Sequence, residues 1–228
     1  MAATMDPIEE RSKSGQVIAR YAMLDGALHG LMERFGETGQ PSMMANFLHG
    51  KLNGKVSLFS ESGELVQESE YLDGVQHGPL KIYSNGRCIA QQHFVFGKLS
   101  GPAVSYDAAG NLSSRMNYVA GKLEGKASFF HEGTEVRQAN YRNGVLDGEL
   151  NDLDSQGALV QSCHYKSNVL DGRLRRYWPN GKVMEEVDYA KGKPLGLPRR
   201  YDIKGKLTDN LTAEPALFDR IRTLLRGS

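Results

Sequence analysis

A pattern of aromatic and glycine residues that returns every 23 or 24 positions constrains this chain more than any other feature. Units start at Met23, Phe47, Tyr71, Phe94, Tyr118, Tyr141, Tyr165 and Tyr189. In nearly every unit one glycine lies three residues on and a second lies four further, as with Tyr71, Gly74 and Gly78. A third glycine follows at Gly39, Gly63, Gly86, Gly110, Gly133, Gly157, Gly181 or Gly205, and Gly15 fits the same slot ahead of the first unit. A fixed period of this length marks a repeat architecture in which each unit is one supersecondary element.

The type of element follows from the spacing. Glycine costs about 1 kcal/mol in a helix interior, so glycines every four to nine residues exclude helices from the array. The stretches between them are rich in Tyr, Phe, Val and Leu, which suit pleated structure. Leu112, Met116 and Tyr118 share a face at period two, as do Val183, Val187 and Tyr189. Ser84-Asn-Gly86, Ala108-Ala-Gly110 and Pro179-Asn-Gly181 read as hairpin turns. At position 168 the first glycine is replaced by Asn, the residue that best tolerates left-handed backbone after Gly. These glycines therefore serve backbone geometry rather than close approach to a ligand.

Two apolar rows accompany the glycines. Phe35, Phe59, Tyr83, Tyr106, Phe130, Leu153, Tyr177 and Tyr201 lie five residues after the second glycine. A smaller set, Met32, Val56, Leu80, Ala103, Ala127, Leu150, Leu174 and Leu197, sits nearer to it. Offsets of two and five fall on opposite faces of an ideal strand, so either both faces bury something or a bulge intervenes. The expected fold is all-β: an elongated, twisted antiparallel β-hairpin repeat array of about eight units of roughly 24 residues. The repeat domain is placed at 14–207 and opens on a half-unit, a single strand at about 15–22. Residues 1–13 are expected to be flexible. The apolar stripe of Leu217, Phe218, Ile221, Leu224 and Leu225 behind Thr212 and Pro215 predicts a C-terminal capping helix within 208–228.

Composition narrows function. Lys and Arg number 28 against 27 Asp and Glu, a formal net charge of +1, with mean hydropathy −0.47. That balance gives no global reason to expect nucleic acid. There is no run of 18 apolar residues and no signal-peptide pattern at the start, so a cytoplasmic location is expected. Cys88 and Cys163 are too few for a disulfide framework and are expected to be free. The histidines fall in repeat slots: His29 and His77 before a second glycine, His49 before a first, and His93 and His164 before an aromatic. Their periodic placement points to turn and strand roles. No His-Glu-x-x-His, zinc-spaced Cys/His cluster, Gly-x-Ser-x-Gly or Gly-x-Gly-x-x-Gly is present. No catalytic residue, metal site or cofactor is expected.

The forms Tyr141-Arg-Asn-Gly144 and Tyr177-Trp-Pro-Asn-Gly-Lys182 resemble MORN repeats, most closely the bacterial MORN-variant type, over about residues 14–207. The resemblance implies a binding scaffold without shared catalytic residues. Bacterial proteins of this type are often antitoxin-like or immunity-like, whereas eukaryotic ones act as membrane-associated or protein scaffolds. Asn168, Met23 and Leu153 depart from the pattern in single units.

Two charge clusters are the candidate partner surfaces. Arg173, Arg175, Arg176, Tyr177, Trp178, Lys182, Arg199 and Arg200 lie in a basic stretch that contains the only tryptophan, and Arg, Tyr and Trp are enriched at interface hot spots. Glu61, Glu64, Glu68, Glu70 and Asp73 form an acidic stretch free of Lys and Arg. A polarised trough of this kind would steer a charged partner. The expected function is protein binding that neutralises a toxin or secreted effector. The alternative is a structural or membrane-surface scaffold for anionic lipid or cytoskeletal partners.

Overall fold

A computed structural model describes residues 7–208. The helix expected at 212–226 lies outside the described residues. The chain divides into two compact units, Met1–Val145 and Leu146–Ser228. The described residues of both are strands, turns and short connections.

In the first unit twelve main strands follow one another as an antiparallel meander. They are Ile8–Arg11, Val17–Tyr21, Gly30–Phe35, Pro41–Leu48, Lys51–Phe59, Leu65–Leu72, Val75–Ser84, Arg87–Val95, Gly101–Tyr106, Leu112–Val119, Gly125–His131 and Thr134–Arg142. Each pairs with the next. The second unit repeats the pattern. Its first strand, Val145–Leu153, begins at the boundary and is followed by Leu159–Lys166, Gly172–Tyr177, Val183–Ala190, Arg199–Tyr201 and Leu207–Thr208.

The array opens on a full hairpin, not on a half-unit. Ile8–Arg11 pairs antiparallel with Val17–Tyr21, so the stretch expected to be flexible is a strand from residue 8. All four of its residues are exposed, and Glu9 bonds Arg11 and Arg20. An edge strand with charges on both faces resists pairing with another chain. The same polarity removes the apolar signal by which a strand is recognised in sequence.

Two turn types alternate. At the first glycine the chain makes a two-residue turn with both central residues at positive φ, such as Asp73 and Gly74 at +50° and +83°, the type I′ geometry that matches strand twist. At the third glycine most units carry a longer loop. Gly63 N–H donates to the Ser60 carbonyl at 2.9 Å and Ser60 N–H to the Glu64 carbonyl at 2.8 Å, with Gly63 at φ +82°. That is a type I turn closed by a left-handed glycine. At Asn85-Gly86 and Glu132-Gly133 the chain turns in two residues instead. Those two turns account for the 23-residue spacings, which run from Tyr71 to Phe94 and from Tyr118 to Tyr141.

Successive hairpins are stitched at their tips. The N–H groups of Gly50, Gly74, Gly97, Gly121 and Gly144 donate to the carbonyls of Leu28, Leu52, Gln76, Leu99 and Leu123 at 2.7–2.9 Å. In the second unit Asn168 N–H donates likewise to Leu146, and its own Oδ1 accepts from Leu146 N–H at 2.7 Å. Asn168 has φ +67°. It keeps the turn that glycine makes elsewhere and adds a bond that glycine cannot.

The core is a ladder of small side chains. Met32, Ala45, Val56, Ser69, Leu80 and Gln92 pair across successive strands, as do Ala103 with Met116 and Ala127 with Ala139. Ala45, Ala127, Ala139 and Ser69 are essentially inaccessible. The second unit continues the slot with Leu150–Cys163 and Leu174–Val187. Beside the ladder each second glycine faces the next unit's aromatic, for example Gly54 and Tyr71 or Gly172 and Tyr189. Among the described residues no large side chain is fully buried. Small residues lie in a valley between rows of larger ones, and the sheet is held through cross-strand pairs. Leu197, grouped with this row by sequence, is 79% exposed. It directly follows Gly196, and Pro198 takes the slot.

A register shift lies between offsets four and five after the second glycine, as between Leu58 and Phe59 or between Arg176 and Tyr177. The bulge is therefore present. The row at offset five also lies on the face opposite the small ladder, where Tyr83 bonds Glu68 and Tyr201 bonds Glu186. The two rows therefore occupy opposite faces by strand alternation alone, and the extra residue of the bulge, such as Val66, belongs to the following strand. Cys88 and Cys163 are free thiols, Cys163 within the small ladder.

Candidate functional site

In the second unit, strand alternation sorts the basic stretch onto two faces. The register pairs Arg173 with Asp188, Arg175 with Glu186 and Arg176 with Glu185, then Glu185 with Arg200 and Glu186 with Arg199. On one face Glu186 is the hub. Its carboxylate lies 3.1 Å from Arg175 Nε, 3.3 Å from Arg199 Nη2 and 3.7 Å from Arg173 Nη1, and it accepts from Tyr201 Oη at 2.9 Å. Asp188 adds contacts of 2.6 Å to Arg173 and 3.0 Å to Arg199. On the other face Glu185 holds Arg176 at 3.0 Å and Arg200 at 2.9 Å. The eight residues singled out by sequence are thus not one patch.

The electrostatics follow from this crowding. Burial pushes the Glu186 carboxyl up, but Arg175, Tyr201, Arg199 and Arg173 together pull it below the usual carboxylate range. Arg173 holds Asp188 low, and Asp188 in turn raises Arg173. The Glu186 bond pushes the Tyr201 phenol up. Three guanidinium groups surround two ionised carboxylates, leaving one surplus positive charge on a part-fixed donor array. Such an array can take a further carboxylate or phosphate in planar, two-point fashion. Beside it a shallow cavity of about 180 Å3 is lined by Glu186, Val187, Asp188, Leu195, Gly196, Leu197 and Arg199. Leu195 and Leu197 stand exposed at its rim.

The remaining basic-stretch residues have structural occupations. Tyr177 Oη shares a hydrogen bond with Ser162 at 2.9 Å. Half-buried Trp178 donates its indole N–H to the Tyr201 carbonyl at 3.0 Å, and Lys182 Nζ donates to the Lys204 carbonyl at 2.8 Å. With Asn180 bonding Ile203, these side chains tie one long loop to the next.

The acidic stretch is dispersed. Glu61 and Glu64 lie in the long loop around Gly63, and Asp73 sits at the opposite hairpin tip. Glu68 and Glu70 are on the strand between, each opposite a base. Glu68 makes an ion pair with Lys55 and accepts from Tyr83 at 2.8 Å. Lys55 holds the Glu68 carboxyl low. Burial, then the Glu68 bond, pushes the Tyr83 phenol up to about 12. The five acids do not form a single surface.

One slot, which the sequence marked only through His29 and His77, has a recurring role at the tips. The residue before the second glycine accepts from the backbone of the following tip. Ser100 accepts from Ala120 N–H, Glu124 from Asn143, Asp147 from Ser167, Asp171 from Lys191 and His77 from Phe96. The signal is chemical rather than literal: Ser, Glu, Asp and His share only the ability to accept. In these five cases one repeat supplies the acceptor and the next the donor of the join. Two stretches of the chain match the family described as MORN repeat variant. They are residues 52–73 and 170–191. Both start two residues past a tip and end inside the next tip, so the MORN-variant matches share one phase although their starts lie 118 positions apart. MORN repeats built as β-hairpins are therefore present at these positions.

No curated protein matches the chain. Among solved structures, TarM is similar to 51% of this chain over 20% of its own, at 10% identity and a TM-score of 0.24. A complex titled TcdB2-TccC3-Cdc42 is similar to 91% of this chain over 15% of its own, at 12% identity and a TM-score of 0.23. The chain spans a fifth or less of the length of either. Such scores carry no argument about fold or activity.

Proposed function

We propose that this protein is a non-enzymatic binding scaffold of the antitoxin or immunity kind, which neutralises a toxin or secreted effector by direct contact. The observation that supports this reading is the Arg173–Arg175–Arg199 array around Glu186 and Asp188. Those guanidinium groups stand on slots that the hairpin core does not need, since the small ladder and the glycines do the folding. They are held by carboxylates, and they flank exposed Leu195 and Leu197. Fixed donors beside apolar side chains suit recognition of another protein, where geometry as well as charge discriminates. A membrane-surface scaffold would rest on diffuse positive charge. Here Glu185, Glu186 and Asp188 instead hold all five arginines of the stretch in ion pairs.

Co-expression with a toxin gene adjacent to its own gene tests the proposal. The wild-type chain should restore growth, and Arg199→Ala should weaken the purified complex by at least tenfold. No rescue and no complex with any adjacent product would sink it. Sedimentation with anionic vesicles at physiological salt, unaffected by any partner, would favour the membrane reading instead.

A further inference from the structure

In the first unit a row of exposed apolar side chains runs along the two-residue turns. Leu48, Leu72, Val95 and Val119 occupy one slot, the residue after the unit's aromatic, and are 41%, 41%, 37% and 56% exposed. Their cross-strand mates are Lys51, Val75, Lys98 and Lys122. Val75 is also exposed, and its side chain comes within 3.4 Å of where a Cβ on Gly97 would stand. Val75 thus reaches the next hairpin tip. In the units that follow, the same slot holds Arg142, Lys166 and Ala190, so the hairpin does not require an apolar residue there.

Phe96 marks the middle of this row. It is 67% exposed and sits at φ +47°. Four other tips put Asp25, His49, Asp73 or Asn143 in that position, residues that adopt left-handed backbone readily, and three put the smaller or flexible Ala120, Ser167 or Lys191 there. A bulky aromatic there is an outlier, and its ring makes an edge contact with His77, centroids 4.8 Å apart, beside the bond from its N–H to His77 Nδ1. Strain held in an exposed aromatic suits a contact with something outside the chain better than it suits folding.

The charges narrow the occupant. Lys51, Lys98 and Lys122 are exposed, and none of the three makes an ion pair or hydrogen bond among the described residues. Successive tips are two strands apart, about 9.6 Å. An α-helix advances that far in six to seven residues at about 1.5 Å each, so a heptad repeat would present one apolar side chain per tip. We propose that the turn edge of the first unit, from Leu48 to Val119, docks an acidic amphipathic helix of another protein. Its apolar stripe lies on Leu48, Leu72, Val95, Phe96 and Val119, and its flanking carboxylates meet the three lysines. The polar tips at His49 and Asp73 favour side-chain recognition over immersion in a bilayer. This assignment rests on the protein-binding reading but not on the arginine array of the second unit.

The test uses two fluorescein-labelled helical peptides of about 21 residues, one with Leu stripes flanked by Glu and one with the same stripes flanked by Lys. Fluorescence anisotropy with the full chain should show the acidic peptide binding at least tenfold more tightly. The double variant Lys98→Glu/Lys122→Glu should reverse the preference. Phe96→Asn should weaken binding at least fivefold while leaving the thermal midpoint equal or higher, because Asn suits the turn; this separates docking from folding. Equal binding of both peptides, or acidic-peptide binding indifferent to Phe96→Asn, overturns the proposal. So does binding of phosphatidylcholine–phosphatidylserine vesicles that depends on Phe96 when neither peptide binds, which would assign the edge to membranes. Toxicity rescue is read separately in cells, so failure here and failure of the scaffold function are distinguishable.

Discussion

Ser69 carries the only hydroxyl in the ladder run from Met32 to Gln92, and its Oγ is buried with no hydrogen-bond partner. The equivalent slot one unit back and three units on holds alanine, Ala45 and Ala139, each buried. Leaving a hydroxyl unsatisfied costs about 1–3 kcal/mol. Ser69→Ala is therefore expected to raise stability by about 1 kcal/mol, read as a higher denaturant midpoint at unchanged m value. A lower midpoint would mean that Ser69 has a partner. Tyr83 makes a second prediction on the same scale. Its phenol is raised to about 12 by burial and by Glu68, above an ordinary value near 10. A raised phenol contributes stability that is complete below pH 10 and lost as pH climbs toward 12. Tyr83→Phe should flatten that alkaline limb in thermal melts taken between pH 9 and 12. The parity of the basic stretch was legible in principle, because adjacent Arg175 and Arg176 must face opposite ways in a strand. Their carboxylate partners were not legible, because pairing Glu186 with Arg199 needs the register across a third strand.

At the scale of the element, the period itself was the sequence's clearest statement, and the two-residue turns at Asn85-Gly86 and Glu132-Gly133 explain its irregularity. What the sequence concealed was the opening strand Ile8–Arg11, whose charges belong to an edge, and the bulge that each following strand carries opposite offsets four and five. The two kinds of special backbone site should respond differently to substitution. Asn168 holds Leu146 through both its N–H and its side-chain oxygen. Asn168→Gly keeps the left-handed turn and forfeits one bond, costing about 1 kcal/mol. Gly172 lies at φ +130°, and a Cβ there would meet His164 Cβ at 2.9 Å. Because backbone-proximal atoms cannot swing away, Gly172→Ala should cost about 3 kcal/mol or more. Chemical denaturation of the two variants side by side checks the order. Equal costs would mean that the second-glycine slot is not the close approach described.

At the scale of the molecule, each repeat contacts mainly its neighbours, through ladder pairs and through tip-to-tip bonds such as Gly97 to Gln76 and Gly121 to Leu99. Stability in such an array is a sum of unit terms and nearest-neighbour terms. A repeat should then be removable if every slot is rejoined in phase. Deleting Lys98–Gly121 from the first unit brings Lys122 directly behind Gly97, the place that Lys98 held, and returns Glu124 to the acceptor position before Gly125. This chain should fold, keep its β-type circular dichroism per residue and lose roughly a tenth of its m value, since m follows the surface exposed on unfolding. Deleting only Lys98–Ala109 removes a single main strand, reverses the direction of everything after it and leaves the ladder without an antiparallel partner. That shorter deletion should yield insoluble protein. If both deletions unfold the chain, its cooperativity extends beyond nearest neighbours. If both fold, the alternation of turn types is not what sets the register.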